Sequence, residues 1–100
     1  MDKEVVSNEQ IFKEITDKML KTYRDKNHDY GNSVHKTFNE FGLTSFLVRL
    51  SDKLNRAITL NKTEAKVIDE KLEDTLLDMS VYSILALIEL KRMEKGNKDE

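Results

Sequence analysis

Apolar residues recur every four positions early in the chain, at Ile11, Ile15, Met19 and Tyr23. That period marks one face of a helix, and it predicts a first helix from about Asn8 to Lys26. Ser7 stands before it with Gln10 three residues later, a capping-box pattern. The stretch "NHDYGNSVHK" (Asn27 to Lys36) follows, and Asn27–Gly31 is rich enough in turn formers to predict the end of that helix. A short helix over Val34–Phe41 comes next, with Phe38 and Phe41 on one side and Gly42 suited to the left-handed position that ends it. Thr44 is the expected N-cap of a further helix to about Leu60, with Phe46, Leu47, Leu50, Leu54 and Ala57 as its buried stripe. "NKTEAKV" links it to the last helix. Asp69 is the expected N-cap there, and Glu70 and Glu73 suit its positive end. Lys91, Arg92 and Lys95 suit the negative end, and Gly96 is expected to stop the helix at about Lys95. Proline is absent and no segment alternates as a strand does.

The pattern therefore predicts an all-α chain: three main helices and one short one in a single domain over residues 1–100, with 1–6 and 96–100 frayed. Between Leu76 and Leu90 the last helix is apolar almost all round. Such a helix needs neighbours on every side, more than this many helices supply, so a dimer or higher homo-oligomer through it is expected. Composition agrees. The 100 residues are 38% hydrophobic and 36% charged, less apolar than the usual 45–50% or so.

Charge and cysteine usage narrow the function classes. The net charge of −2 offers no general basic surface for duplex nucleic acid. The chain has no cysteine, which excludes disulfides and thiolate metal sites and fits a cytoplasmic setting. "MDKEVVSNEQ" lacks the apolar core of a signal peptide. The longest apolar run, Met79 to Leu90, is interrupted by Ser80, Ser83 and Glu89 and is too short to span a bilayer.

Three constellations could carry chemistry. In "RLSDKLNR", Arg49, Asp52, Lys53 and Arg56 share one helix face beside the apolar stripe. Two guanidiniums and an ammonium there make an anion receptor, because Arg forks onto phosphate oxygens and Lys adds a point charge. The same spacing also describes a solvated face with Arg49–Asp52 and Asp52–Arg56 pairs. In "DEKLEDTLLD", Glu70, Asp74 and Asp78 form a carboxylate stripe. Asp78 falls inside the apolar section, where a buried carboxylate needs a partner. Arg49 or Arg56 of the neighbouring helix could supply it, or Mg²⁺, which favours one or two carboxylates plus substrate phosphates. In the turn, Tyr30 can stack on a planar ring, Asp29 can cap the short helix, and His28 and His35 are too weak a pair to indicate a transition metal.

Taken together, "DYG", "RLSDKLNR" and "DE" followed by "DTLLDMSVYSI" resemble the nucleotide modification associated domain 1 family, small helical proteins common in phages and their hosts. The likeness covers roughly Lys26 to Leu90. It falls on Asp29, Tyr30 and Gly31, on Arg49, Asp52, Lys53 and Arg56, and on Asp69, Glu70, Asp74, Thr75, Asp78 and Tyr82. Family members often carry Asn before the tyrosine of the last block; here Val81 stands there, with Ser83 after Tyr82. A looser likeness links the chain to MazG-type all-α nucleotide pyrophosphohydrolases, which bind Mg²⁺ through acidic residues on two helices. Against their paired acidic motifs this chain has Asp52 alone on the first helix, and Thr75 three residues before Asp78.

The resemblance implies action on or around small nucleotides. Arg49, Lys53 and Arg56 would hold phosphate; Asp52, Asp74 and Asp78 would hold Mg²⁺ or orient the arginines; Tyr30, His28, Asp29 and Tyr82 would line the ligand. The thin acidic set favours binding or sequestering a nucleotide, such as a host signal, in the host cytoplasm. Mg²⁺-dependent hydrolysis of a nucleoside phosphate and a non-catalytic helical adaptor are the alternatives.

Overall fold

The computed structural model describes residues 6–62 and 68–99, with the side chains of 28–32, 68–71 and 96–99 outside that description. Three α-helices order the described chain: α1 Asn8–Phe41, α2 Thr44–Lys62 and α3 Ile68–Asp99. No strand occurs among the described residues, as the sequence pattern predicts.

Ser7 caps α1 as expected. Its hydroxyl accepts from the Gln10 amide at 3.1 Å, which satisfies one of the amides a helix start leaves unpaired. The expected break at Asn27–Gly31 does not occur. The first and short helices are one helix of 34 residues. The reason lies in phase. Met19 and Phe38 are buried, with Tyr23 and Val34 packed against the same cluster. Tyr23 and Val34 are eleven residues apart, about three helical turns. The stripe thus stays in register across the gap, and packing on both sides outweighs the ~1 kcal/mol that a helical Gly31 costs. No loop leaves α1 there, so Asp29 does not cap a new helix.

Gly42 ends α1 as predicted, at φ 68° and ψ −158°, a region open essentially to glycine alone. Its amide donates to the Phe38 carbonyl at 2.6 Å. Thr44 is not the N-cap of α2 but its first helical residue. Leu43 stands before it, and its carbonyl accepts from the Phe46 and Leu47 amides at 2.9 and 3.1 Å. Asp69 likewise falls within α3 rather than before it, and Gly96 does not stop α3, which stays helical to Asp99. The middle of the linker, residues 63–67, lies outside the described residues.

All three helices feed one core. Met19 and Phe38 come from α1, Phe46 from α2, and Val81, Leu85 and Ala86 from α3. The Phe38 and Phe46 rings meet across the Gly42 turn with centroids 5.9 Å apart, tilted by 50°. The buried line of α2 is Phe46 and Ala57, with Leu50 half-buried. Leu47 and Leu54, expected in the stripe, are 53% and 49% exposed. The half-buried residue between Leu50 and Ala57 is Lys53, so a cation takes the seam position that Leu54 was expected to hold. The shape is elongated, at 56 × 32 × 21 Å with a Cα radius of gyration of 16.6 Å, against about 13 Å for a compact chain of this length.

Candidate functional site

The α2–α3 seam sets two of the predicted cations. Arg49 lies over the Tyr82 ring, 5.7 Å from its centroid. One turn along α2, Lys53 Nζ reaches Asp78 Oδ2 at 3.1 Å. Four residues forward on α2 thus answer four residues back on α3, so the two helices run antiparallel. Arg49 and Lys53 share one strip because the i, i+4 spacing stacks them on one helix face. A guanidinium over an aromatic face is held by the ring quadrupole, worth about 0.5–1 kcal/mol at an exposed site.

Asp78 differs from its expectation. It lies within the apolar section of α3 yet its side chain is 50% exposed, and its partner is Lys53 rather than Arg49 or Arg56. Such a pair contributes about 0–1 kcal/mol. Among the described residues of α3 the buried carboxylate is Glu89, at 7% exposure. Both its oxygens lie near His35 Nδ1, at 2.9 and 3.1 Å. His35 is thereby fixed to α3, and its Nε2 lies 3.3 Å from the Asn39 amide nitrogen. Glu89 appears in the sequence as the one charge in an apolar run, a signal that would have identified it.

Asp78 also opens onto a groove of about 320 Å³ between α1 and α3. Lys18, Thr22 and Lys26 line its α1 wall, Asp74 and Asp78 its α3 wall, and Met19, Leu77 and Val81 complete it with apolar surface. Lys18 and Lys26 are two cations that the sequence reading passed over. They recur with Thr22 every four residues beside the Met19 stripe, which places all three on one strip about 12 Å long. The groove therefore offers donors on one wall, acceptors on the other and an apolar surface between them. Asp74 is exposed and has no hydrogen-bond or ion-pair partner among the described residues.

The remaining predicted residues lie apart from it. Arg56 lines a separate open depression with Asn55, Thr59 and Leu60. Asp52 is exposed and joins no ion pair among the described residues. His28, Asp29 and Tyr30 are helical, with side chains outside the described residues, as are those of Asp69 and Glu70. Thr75 is buried at 4%. Among the described residues no three or more His, Asp or Glu side chains gather to hold a metal ion. Asp74 and Asp78 share the groove wall, and Asp52 lies outside its lining.

A small all-α protein with a mixed-charge groove beside its α2–α3 seam is the class that fold and geometry define. The chain belongs to the nucleotide modification associated domain 1 family, whose model matches residues 26–90. That span holds both charged blocks and Lys26, but begins after Lys18 and Thr22. No curated protein or solved structure is similar enough to the chain to count as a match. Neither therefore carries the looser likeness to MazG-type enzymes. No helix among the described residues is long and apolar enough to cross a membrane.

Proposed function

We propose that the chain binds a small nucleotide in the groove between α1 and α3 and retains it unchanged. The observation that carries this reading is the pairing of an ammonium-bearing wall, Lys18 and Lys26, with a carboxylate-bearing wall, Asp74 and Asp78, over an apolar surface. A nucleotide presents the matching features: anionic phosphates, polar edges and a flat apolar ring. At about 320 Å³ the groove sits at the lower end of small-ligand pockets, roughly 300–1,000 Å³. Family membership supports nucleotides as the ligand class. Lys53 at the groove edge supplies a third cation once a phosphate competes with Asp78 for it. Retention is favoured over hydrolysis because the groove lining holds only two carboxylates among the described residues, Asp74 and Asp78, a thin acidic set for metal-assisted chemistry.

Titration calorimetry against a nucleotide panel, with and without Mg²⁺, tests the reading. At least one member is expected to bind, and Lys26→Ala is expected to weaken it about tenfold or more, the worth of a hydrogen bond to a charged group. Chromatography after incubation should recover the nucleotide intact. Released phosphate lost in Asp78→Ala would instead establish hydrolysis. No binding by any nucleotide leaves the helical adaptor.

We also infer that copies of the chain associate. Ile84, Leu87 and Met93 of α3 are 42%, 56% and 53% exposed, and Phe12 of α1 is 70% exposed. An apolar groove of about 180 Å³ lies between those two helices, lined by Leu20, Tyr23, Ile84 and Ile88 among others. Large exposed apolar side chains beside an apolar groove support an interface there. Light scattering should give an oligomer, and Leu87→Glu should shift it toward monomer with helicity unchanged; a monomeric native chain would refute association.

A further inference from the structure

The two acids of the groove are not equivalent, and the difference points to a base. Asp78 Oδ2 is taken by Lys53 at 3.1 Å. Asp74 lines the same groove with no partner among the described residues. An ionised carboxylate only accepts hydrogen bonds, and its two oxygens can take two parallel donors at once. Guanine presents such a pair on one edge, the ring N1–H beside the exocyclic amino group. Adenine and cytosine present an amino group beside a ring nitrogen lone pair, which would face the second oxygen and repel it. Uracil presents a single N–H between two carbonyls.

Resting on the proposed nucleotide binding, we propose that the groove selects guanine mononucleotides, with Asp74 as the residue that reads the base. The base lies on Met19, Leu77 and Val81 with its donor edge toward Asp74. Its phosphate goes to the lysines of α1. Asp74 and the lysines stand on opposite walls of that groove, so a base held at one wall can direct its phosphate to the other. Asp74 lies within the span that the family model matches, residues 26–90, and the facing Lys18, Met19 and Thr22 lie before it.

The test is titration of the intact protein with GMP, AMP, CMP and UMP, each carrying one phosphate. GMP is expected to bind at least tenfold more tightly than AMP, the scale of one good bidentate contact to a base. Asp74→Asn replaces one acceptor oxygen by a donor at an exposed position. It should abolish the guanine preference with helicity unchanged: GMP loses the paired acceptors, and the amide's acceptor–donor pair matches the amino group and ring nitrogen of adenine, so AMP should bind at least as tightly as GMP. Equal binding of the four nucleotides by the native chain overturns the base assignment and leaves nucleotide binding standing. A guanine preference that survives Asp74→Asn overturns the role of Asp74. Failure of all four to bind overturns the base assignment, and failure of the whole nucleotide panel overturns both proposals.

Discussion

Phe46→Ala should lower the unfolding free energy by about 3–5 kcal/mol, the largest loss expected from one substitution here. Phe46 is 1% exposed, and no other side chain among the described residues is so large and so completely buried. Its ring meets Phe38 at 5.9 Å, which ties α2 to α1 directly across the Gly42 turn. Ala57, the other buried residue of α2, is too small to hold the helix in place alone. Domains of ordinary stability have about 5–15 kcal/mol in total, and an elongated chain with one small core belongs toward the lower end. Loss of the ring should therefore leave much of the population unfolded at moderate temperature. Urea melts followed by circular dichroism measure this directly. Phe41→Ala is the control: Phe41 is 65% exposed, and its loss should stay within about 0.5 kcal/mol. A loss no larger than the control's would put Phe46 outside the core.

The helical class and two helix ends, at Ser7 and Gly42, were legible in the sequence because they follow from local rules. Ser7 caps where its spacing to Gln10 says it should, and Gly42 adopts the conformation that side chains resist. What failed were judgements of local breaking weighed without the tertiary partner. Gly31 and its polar neighbours resemble a turn, yet Tyr23 and Val34 rejoin the same core in phase, and that phase spans the supposed break. Position on a helix face was legible, whereas depth was not. Asp78 sits among apolar neighbours in the sequence yet lies half in solvent, because Lys53 and not a leucine occupies the facing seam. The groove was missed for a related reason. Its α1 wall is a polar strip beside an apolar one, and only packing against α3 makes Lys18 and Lys26 face Asp74 and Asp78.

His35→Ala is the second substitution expected to act strongly, at about 2–3 kcal/mol. Its mechanism is electrostatic rather than steric. Glu89 is 7% exposed, and His35 lies within hydrogen-bond distance of both its oxygens across 54 residues of chain. With a proton on Nδ1, His35 donates to the carboxylate, and its Nε2 can accept from the Asn39 amide at 3.3 Å. Truncation leaves a buried carboxylate with no donor, and breaking a fully buried pair costs about 3–5 kcal/mol. The side chain of His35 is 48% exposed, so water can enter the gap and the loss falls below that range. Adding Glu89→Leu to His35→Ala removes the stranded charge and should restore most of the stability, because apolar replacement of both partners is often neutral or better. Glu89→Leu alone leaves a half-exposed imidazole, which water can satisfy, and should cost less than His35→Ala. A double-mutant cycle on these three variants separates the pair from its neighbours. A coupling energy near zero would make the contact a solvated one, and α1 and α3 would then be joined by their apolar residues alone.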